Sequence, residues 1–445
     1  MNRPALSAHI SREMNRIGPG LRKILQNVGW LMVDRVVRMG MGLFIGVWVA
    51  RYLGPTRFGS LNFAAAFVAL FGSATTLGLD GIVVRDLLHR PDDTPEILGT
   101  TFALRSVAGI VAAGASIVGI ALIQPADRLS LLLVSILSLT LVFQATDAID
   151  LFFQSQVRSK LTVWAKNLAF LVTAAIRVLL IYIKAPLWTF AAAMCAEIAL
   201  GAVGMLLAYR WSSGKISLWR GSGRRAVSLL QQSWPVIFSA MAVMVYMRLD
   251  MVMLKMMQGD FAVGLYAAAT RVSEVWYFIP MAIVSSVSPS IMRAKDNPSL
   301  FYGRLRRLFS LMTLTACVTG TAVALASRAI IRVLYSNSYS GAAPVLEVHI
   351  WASVFVFLGV AQGPFDTTKN LFKLSLCRIA AGAVINIVMN LYLIPKYSAM
   401  GAAIATVVAY AVSAVFGNAL SPRTRPIFYM QMRSFIPGKL WGSSE

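Results

Sequence analysis

Charged residues are scarce in this sequence of 445 residues, and acidic ones are especially few. Asp, Glu, Lys and Arg make up 13% of the chain, whereas a soluble domain carries about 25%. Hydrophobic residues reach 58%, and the mean hydropathy is +0.69. This composition excludes an ordinary soluble domain and predicts a polytopic membrane protein. It also argues against a nucleic-acid partner, because the Lys and Arg residues punctuate apolar runs instead of covering a solvated face.

Cysteine pairs and catalytic motifs are missing as well. Cys195, Cys317 and Cys377 lie apart in apolar surroundings, with no CxxC pair and no histidine at ligand spacing. The sequence contains no HExxH, G-x-S-x-G, Walker A or G-x-G-x-x-G motif. We therefore predict that the protein is not an enzyme, has no catalytic residues and uses neither a metal nor a cofactor.

Long apolar runs, in contrast, are abundant. A helix needs about 20 residues to cross a bilayer core of about 30 Å, and twelve runs come close to this length. Turn residues such as Gly54-Pro55 and Ile394-Pro395 separate them. The predicted spans are 28–50, 61–83, 98–123, 129–151, 164–183, 187–209, 228–250, 264–288, 308–327, 343–361, 374–394 and 401–420.

The distribution of Lys and Arg predicts the orientation of these spans. If both termini are cytoplasmic, the cytoplasmic segments hold 25 of the 41 basic residues and the opposite connections hold eight. Membrane proteins retain positive charge on the cytoplasmic side, so we predict cytoplasmic termini. The basic connections at 210–225 and 293–307 are expected to contact anionic lipid headgroups.

A weak internal duplication predicts the architecture. Phe58-Gly59 resembles Val263-Gly264 at an offset of 205 residues, and residues 191–194 resemble 401–404 at an offset of 210. Six helices per half give both halves one orientation, as in transporters that bind substrate between two lobes. We expect an all-α polytopic membrane protein with about twelve transmembrane helices in two pseudo-symmetric six-helix lobes around a central cavity. The predicted boundaries are a tail at 1–26, the N-lobe at 27–210, a basic linker at 211–227, the C-lobe at 228–420 and a tail at 421–445.

Several charged residues fall within the predicted spans, where each costs about 2.5–3.5 kcal/mol at a helix centre. Such residues must pair, reach the interface or face a wet cavity. Asp34, Arg35 and Arg38 form a polar stripe on the first span. This stripe indicates a cavity wall, and an Asp34–Arg38 pair one turn apart is the alternative.

Two further groups of charges leave alternatives open. Arg271 and Glu274 are three residues apart on the eighth span and are equally compatible with pairing each other or facing a cavity. Arg248 and Asp250 are predicted to end the seventh span, where long side chains extend to the membrane surface.

Three segments resemble a known family. The run from Arg51 to Gly59, RYLGPTRFG, resembles a signature of the polysaccharide-unit flippases of the Wzx type. These proteins belong to the multidrug, oligosaccharidyl-lipid and polysaccharide exporter superfamily. Residues 264–274 look like the beginning of that family's second lobe, and residues 393–406 look like its C-terminal signature. Ser398 replaces a glycine that is common there, which we expect to change only a turn.

The resemblance implies a protein of the bacterial inner membrane that moves an oligosaccharide repeat unit on undecaprenyl pyrophosphate to the periplasmic leaflet. The pathway would be O-antigen, capsule or exopolysaccharide synthesis, and the implied partners are membrane lipids, a polysaccharide polymerase and a chain-length regulator. Pyrophosphate binding requires guanidinium or ammonium donors, and the first, second, seventh and eighth helices line the cavity in this family. The predicted site is Arg35, Arg38, Arg248 and Arg271 for pyrophosphate, with Asp34, Asp80 and Glu274 as candidates for proton or cation coupling.

Two other functions remain open at this stage. A drug or cation antiporter of the same superfamily has a similar length, but we expect it to carry fewer arginines and more aromatic and acidic residues in its cavity. A membrane scaffold or enzyme of envelope polysaccharide synthesis is the second alternative. Such a protein would need neither duplicated lobes nor charges within its spans.

Overall fold

The computed structural model describes residues 19–212 and 215–436, with side chains from residue 39 onward. Within these residues the chain forms sixteen α-helices joined by short 3-10 turns and loops, and it contains no β-strand. The predicted all-α class is therefore confirmed.

Seven helices make up the N-terminal half. A 3-10 turn at 144–146 joins α4 to α5, so that these two helices form one crossing. The helices are α1 (Pro19–Thr75), α2 (Asp80–His89), α3 (Thr94–Ile123), α4 (Arg128–Phe143), α5 (Asp147–Ser155), α6 (Lys160–Tyr182) and α7 (Leu187–Trp211).

Nine helices make up the C-terminal half. Two crossings consist of consecutive helices, α9 with α10 and α12 with α13. The helices are α8 (Gly223–Gln258), α9 (Asp260–Glu274), α10 (Phe278–Arg293), α11 (Pro298–Tyr335), α12 (Ala342–His349), α13 (Ala352–Thr368), α14 (Phe372–Tyr397), α15 (Ala399–Ala414) and α16 (Arg425–Arg433).

Eleven helical stretches of the described residues are long and apolar enough to cross a membrane. The first of them, Met39–His89, contains parts of two predicted spans, because α1 continues through a kink at Gly54. When the two arms of α1 are counted separately, six crossings precede the linker and six follow it. This arrangement confirms a multi-pass membrane protein with two six-helix lobes.

Gly54 and Gly259 turn the chain at equivalent points of the two lobes. Gly54 has φ 72° and ψ 169°, and Gly259 has φ 81° and ψ −177°. This region of backbone conformation is open almost only to glycine, because a Cβ atom would clash with the backbone. The two glycines are related by the same offset of 205 residues that the sequence shows.

The two ends of the helix bundle carry different connections. We call one end the break face; it carries the turns at Gly54, 124–127, 183–186, Gly259, 336–341 and Ser398. The opposite end is the basic face, which carries α2, the described linker residues 212 and 215–222, and the connections at 294–297, 369–371 and 420–424. Most Lys and Arg residues of the connections lie at the basic face.

The two lobes pack backbone against backbone at the break face. A Cβ atom at Gly59 would overlap the carbonyl oxygen of Asp260, and a Cβ atom at Gly264 would overlap that of Pro55. The 205-residue offset relates Gly59 to Gly264 and Pro55 to Asp260, so the two contacts are equivalent. The lobes therefore meet across a pseudo-twofold axis. Glycine at both positions is what permits this close approach.

Hydrogen bonds between the lobes add to this contact. The Tyr339 hydroxyl donates to the carbonyl oxygen of Ala50 at 2.8 Å. The Arg51 guanidinium donates from Nε to the carbonyl oxygen of Leu334 at 2.6 Å. Both bonds join α1 to the end of α11 or the turn that follows it, so the lobes are held together at the break face.

An ion pair also crosses between the lobes at this face. Lys255 Nζ lies 3.0 Å from Asp127 Oδ2 in the N-lobe and 2.5 Å from Asp260 Oδ2 in its own lobe. Burial raises the pKa of the Asp127 carboxyl, but hydrogen bonds from Ser130 and the charge of Lys255 outweigh burial and hold the pKa below its usual range. The carboxylate is therefore charged at neutral pH, and this contact is lost only as the pH falls through that lowered pKa.

We expect Asp127→Asn to loosen the break face without unfolding the N-lobe. Asn keeps a side-chain oxygen that caps α4 at Ser130, but it removes the negative charge opposite Lys255. A partly exposed ion pair contributes about 1 kcal/mol, so the population with an open break face should rise about fivefold. The measurement is a spin-label distance between Arg57→Cys and Ser338→Cys in a chain whose native cysteines have been replaced.

The control for this prediction is Asp296→Asn, which removes an exposed carboxylate from the basic face. The distance distribution should widen toward longer values in Asp127→Asn and stay unchanged in the control. Identical distributions in Asp127→Asn and the parent chain would show that the ion pair does not hold the lobes together.

Two sequence predictions about the ends of segments need comment. The seventh span was predicted to end at Asp250, but α8 continues to Gln258, because the methionine-rich run after Asp250 forms helix readily and Lys255 is neutralised by two carboxylates. The segment 421–445 was predicted to be a tail. Within it, α16 packs on the C-lobe and buries Gln431.

Candidate functional site

Most charges within the crossings are paired in the structure. Each pair joins two helices of one lobe, which removes the cost of an isolated charge in the membrane. The pairs are Arg105 with Asp80, Lys166 with Asp147 and Asp150, Arg177 with Glu197, and Arg378 with Asp366. These residues are accounted for by packing within the lobes.

Asp80, a predicted coupling residue, belongs to this paired group. It begins α2 just after the second arm of α1 ends, so it lies outside the long helix in which the sequence placed it. The chain turns there because Leu77 and Gly78 both have positive φ. The Asp80 side chain is 64% exposed, whereas its partner Arg105 is 3% exposed. The Asp80 carboxylate therefore neutralises the buried Arg105 guanidinium.

Arg271 is the exception to this pairing. Its guanidinium group lies against Gly46 of α1 and 5.6 Å from the centre of the Phe58 ring. Among the residues whose side chains are described, none forms an ion pair or a hydrogen bond with Arg271. The guanidinium thus reaches from the C-lobe to the N-lobe, and its donors have no acceptor among the side chains that the structure describes. Gly46 makes this possible, because a Cβ atom there would occupy the space of the guanidinium.

Glu274 is paired with Arg248 rather than with Arg271. The distance from Arg248 Nη2 to Glu274 Oε2 is 3.7 Å, which is long for an ion pair, and both side chains are about 30% exposed. The pair joins α8 to α9. Glu274 lies about one turn from Arg271 on α9, so the Arg248–Glu274 pair lies about one turn along the helix from Arg271.

The walls around these residues are only half-buried. Residues 242–249 of α8 and residues 274–279 around the end of α9 all have intermediate exposure. In a helix that packs on one side and faces lipid on the other, exposure would alternate between buried and exposed positions. The uniform intermediate exposure indicates an open space between the lobes, which we call the lumen. It is closed at the break face by the glycine contacts described above.

Asp34, Arg35 and Arg38 belong to α1, but their side chains lie outside the described residues. The polar stripe therefore stays a prediction. Gly42 and Gly46 follow Arg38 at intervals of four residues on the same helix.

Sequence reasoning did not find the surroundings of Asp250. Its side chain is 3% exposed and accepts hydrogen bonds from the Tyr266 hydroxyl, from the backbone N–H of Met251 at 2.7 Å and from Thr406 Oγ1 at 3.4 Å. Asp250 is therefore buried in the C-lobe rather than extended to the membrane surface. Tyr266 lies on the next helix and Thr406 lies 156 residues after Asp250, so spacing rules for partners on one helix could not have predicted the cluster.

A cavity inside the N-lobe was also not predicted. It has a volume of about 260 Å³ and contains the Arg177–Glu197 pair together with Gln144 and Thr140. Arg177 Nη2 lies 2.7 Å from Glu197 Oε2. The pair offers both a donor and an acceptor to a polar group that enters the N-lobe.

A comparison with protein families identifies the chain. The profile of the family described as "Polysaccharide biosynthesis protein" matches residues 24–295, more than half of the sequence. The chain belongs to this family. The match includes the segments at 51–59 and 264–274 and confirms the resemblance to polysaccharide exporters that the sequence indicated.

Two curated relatives come from Haloferax volcanii. The chain is 23% identical over 409 residues to the probable flippase AglR, covering 88% of this chain and 81% of that protein. It is 22% identical over 216 residues to the probable low-salt glycan biosynthesis flippase Agl15, covering 48% of this chain and 46% of that protein.

Solved structures share the fold. The lipid II flippase MurJ in an inward closed conformation matches with a TM-score of 0.72 and 14% identity, covering 93% of this chain and 91% of MurJ. An inward-facing multidrug resistance transporter of the MATE family matches with a TM-score of 0.69 and 13% identity, covering 91% and 98%. The two-lobe helical fold of exporters is thus confirmed.

Proposed function

We propose that this protein is a flippase that moves a lipid-linked oligosaccharide across the membrane by alternating access. The single observation that carries the proposal is Arg271 of a protein from the polysaccharide biosynthesis family: its guanidinium lies between the lobes and has no ion-pair partner among the described side chains. An unpaired cation at this depth is costly unless an anion neutralises it. The diphosphate of a polyprenyl carrier supplies such an anion, and guanidinium binds phosphate oxygens through two parallel hydrogen bonds.

The narrower form of the proposal is the one that the sequence suggested. The substrate is an oligosaccharide repeat unit on undecaprenyl pyrophosphate, and the basic face is the cytoplasmic face of a bacterial inner membrane. The glycan occupies the wet lumen while the prenyl chain stays in the lipid. The similarity to the probable flippases AglR and Agl15 and to the fold of the lipid II flippase MurJ supports this class of activity.

The geometry suggests how the second lobe releases its substrate. Arg248 contacts Glu274 only loosely, at 3.7 Å, so an incoming diphosphate competes with the carboxylate for this guanidinium. Arg271 and Arg248 then hold the diphosphate from the C-lobe, and Arg35 and Arg38 on α1 are the proposed partners from the N-lobe. The ion pair between Glu274 and Arg248 forms again when the substrate leaves. Glu274 thereby acts as an internal competitor that keeps binding reversible, with a proton or cation as its alternative partner.

A reconstituted flipping assay tests the proposed function. Vesicles contain the protein and a fluorescent polyprenyl-diphosphate oligosaccharide, and dithionite, which does not cross the bilayer, quenches the label in the outer leaflet. We expect the protein to expose the inner-leaflet label to quenching. A fluorescent phosphatidylcholine in matched vesicles should stay protected. Protection of both lipids, or exposure of both, would overturn the proposal.

We expect Glu274→Gln to bind substrate more tightly and to transport it more slowly. The substitution leaves Arg248 without its anionic competitor, so affinity should rise about tenfold for a gain of about 1.4 kcal/mol. Release should slow correspondingly. The measurements are the Kd of the lipid diphosphate and the flipping rate in the vesicle assay.

Glu347→Gln is the matched control, because Glu347 is an exposed carboxylate near the break face. It should change neither quantity. If Glu274→Gln weakened binding, the carboxylate would be a structural support of the site rather than a competitor of the substrate.

The antiporter alternative makes a different prediction. Its substrate would be a cation, which an uncommitted Arg271 repels. Ethidium efflux that depends on this protein, without movement of the lipid diphosphate, would establish the antiporter in place of the flippase.

A further inference from the structure

A second cavity lies at the basic face, and none of its lining residues belongs to the lumen site. It has a volume of about 560 Å³ and lies between α2, the start of α3 and the start of α8. Ligand pockets usually have volumes of about 300–1,000 Å³. The cavity is therefore large enough for a phosphate group with a polar body attached.

The walls of this cavity carry more positive than negative charge. Its acidic residues are already paired with two of the arginines: Arg85 Nη2 lies 2.9 Å from Asp86 Oδ1, and Arg225 Nε lies 3.0 Å from Glu96 Oε1. Two further arginines and a histidine line the same space, namely Arg90, Arg224 and His89.

Arg90 and Arg224 are the uncommitted charges of the cavity. Neither forms an ion pair or a side-chain hydrogen bond with any residue in the described part of the chain. They belong to different elements of the wall, since Arg90 follows α2 and Arg224 lies in the first turn of α8. Two guanidinium groups that converge on one concave space from different elements provide the donors that a phosphate group requires.

Exposed apolar side chains flank the cavity. Leu88 is 59% exposed, Val227 is 56% exposed and Trp234 is 59% exposed. These residues are close in sequence to lining residues on α2 and α8. They place an apolar surface beside a polar and cationic cavity, which matches the amphipathic character of a phospholipid.

We propose that this cavity binds a phosphate-bearing anion through Arg90 and Arg224, and that the occupant is the headgroup of an anionic phospholipid from the leaflet of the basic face. The bound headgroup bridges α2 of the N-lobe and α8, which continues into the C-lobe. The site is independent of the substrate site at Arg271, and its test is a binding measurement that does not require transport.

The test compares two double variants of the full chain. Arg90→Ala with Arg224→Ala removes both uncommitted guanidinium groups from the cavity. Arg306→Ala with Arg307→Ala is the matched control, because it removes the same charge from exposed positions of α11 near the basic face. Protein from nanodiscs of phosphatidylglycerol in phosphatidylcholine is examined by native mass spectrometry for retained lipid.

We expect the parent chain and the control to retain phosphatidylglycerol and the cavity variant to lose it. A charge-assisted hydrogen bond contributes about 1.5–3 kcal/mol, so affinity should fall about tenfold or more for each arginine. Equal loss in both double variants would show that retention reflects only the overall charge of the face. Equal retention would show that the cavity does not bind the lipid. Either result overturns the proposal.

A second arm distinguishes the source of the phosphate. Inorganic pyrophosphate is added to protein in pure phosphatidylcholine, and the melting temperature is measured. No shift is expected, because pyrophosphate lacks the acyl chains with which the proposed phospholipid contacts the apolar surface beside the cavity. A rise that the cavity variant loses and the control keeps would overturn the lipid as occupant in favour of a soluble phosphate. The melting temperatures without ligand also verify that both variants are folded.

Discussion

Arg271→Ala is expected to abolish flipping of the lipid diphosphate while the protein remains folded and inserted. Arg271 has no ion pair in the described part of the chain, so its removal leaves no described carboxylate unpaired, and we expect it to cost little stability. What it removes is the guanidinium that lies against Gly46 between the lobes. A bidentate contact with a phosphate group contributes about 3 kcal/mol or more, which corresponds to about a 100-fold loss of transport rate.

The conservative variant refines this expectation. Arg271→Lys retains the charge but not the planar pair of donors, so we expect intermediate transport with weakened binding. Arg306→Ala is the control, because it removes an exposed arginine at the basic face. The measurements are the vesicle flipping rate, the Kd of the lipid diphosphate and the melting temperature. Parental transport by Arg271→Ala would remove the main support for the proposed function. A collapse of the melting temperature would show that Arg271 has a structural role.

Gly59→Leu is expected to hold the break face open. The lobes touch there through backbone atoms, and a side chain at Gly59 would occupy the position of the Asp260 carbonyl. Overpacking of this kind costs about 1–3 kcal/mol, and here the strain is relieved by separating the lobes rather than by unfolding either core. Gly264→Leu should have the same effect through Pro55, because the two contacts are equivalent.

Both glycine variants should lengthen the spin-label distance between Arg57→Cys and Ser338→Cys and should stop the transport cycle. Gly114→Leu is the matched control in a membrane helix, since a Cβ atom at Gly114 meets nothing within 4 Å. Unchanged distances in both variants would mean that the lobes adapt locally and that the glycine contact does not govern closure.

The local sequence was sufficient to predict the fold class and the grouping of the helices into two lobes. Composition, run lengths and the 205-residue offset predicted twelve crossings in two related lobes, because each of these signals depends only on neighbouring residues or on repetition. Gly54 was predicted to lie in a turn for the same reason, because glycine and proline mark turns in the local sequence. Segment ends were less accurate, as the extension of α8 past Asp250 shows, because tertiary neutralisation of Lys255 permits a longer helix.

The pairing of charges was decided by tertiary structure. Spacing rules describe partners on one helix, and for Glu274 they suggested Arg271, whereas packing of α8 on α9 supplied Arg248. The same rules could not show that Asp250 meets Tyr266 and Thr406. The sequence by itself determined that this protein spans a membrane in two duplicated lobes and carries arginines at depth. Only the packing of distant helices decided that Arg271 has no partner among the described side chains, because that depends on contacts between residues that no local pattern connects.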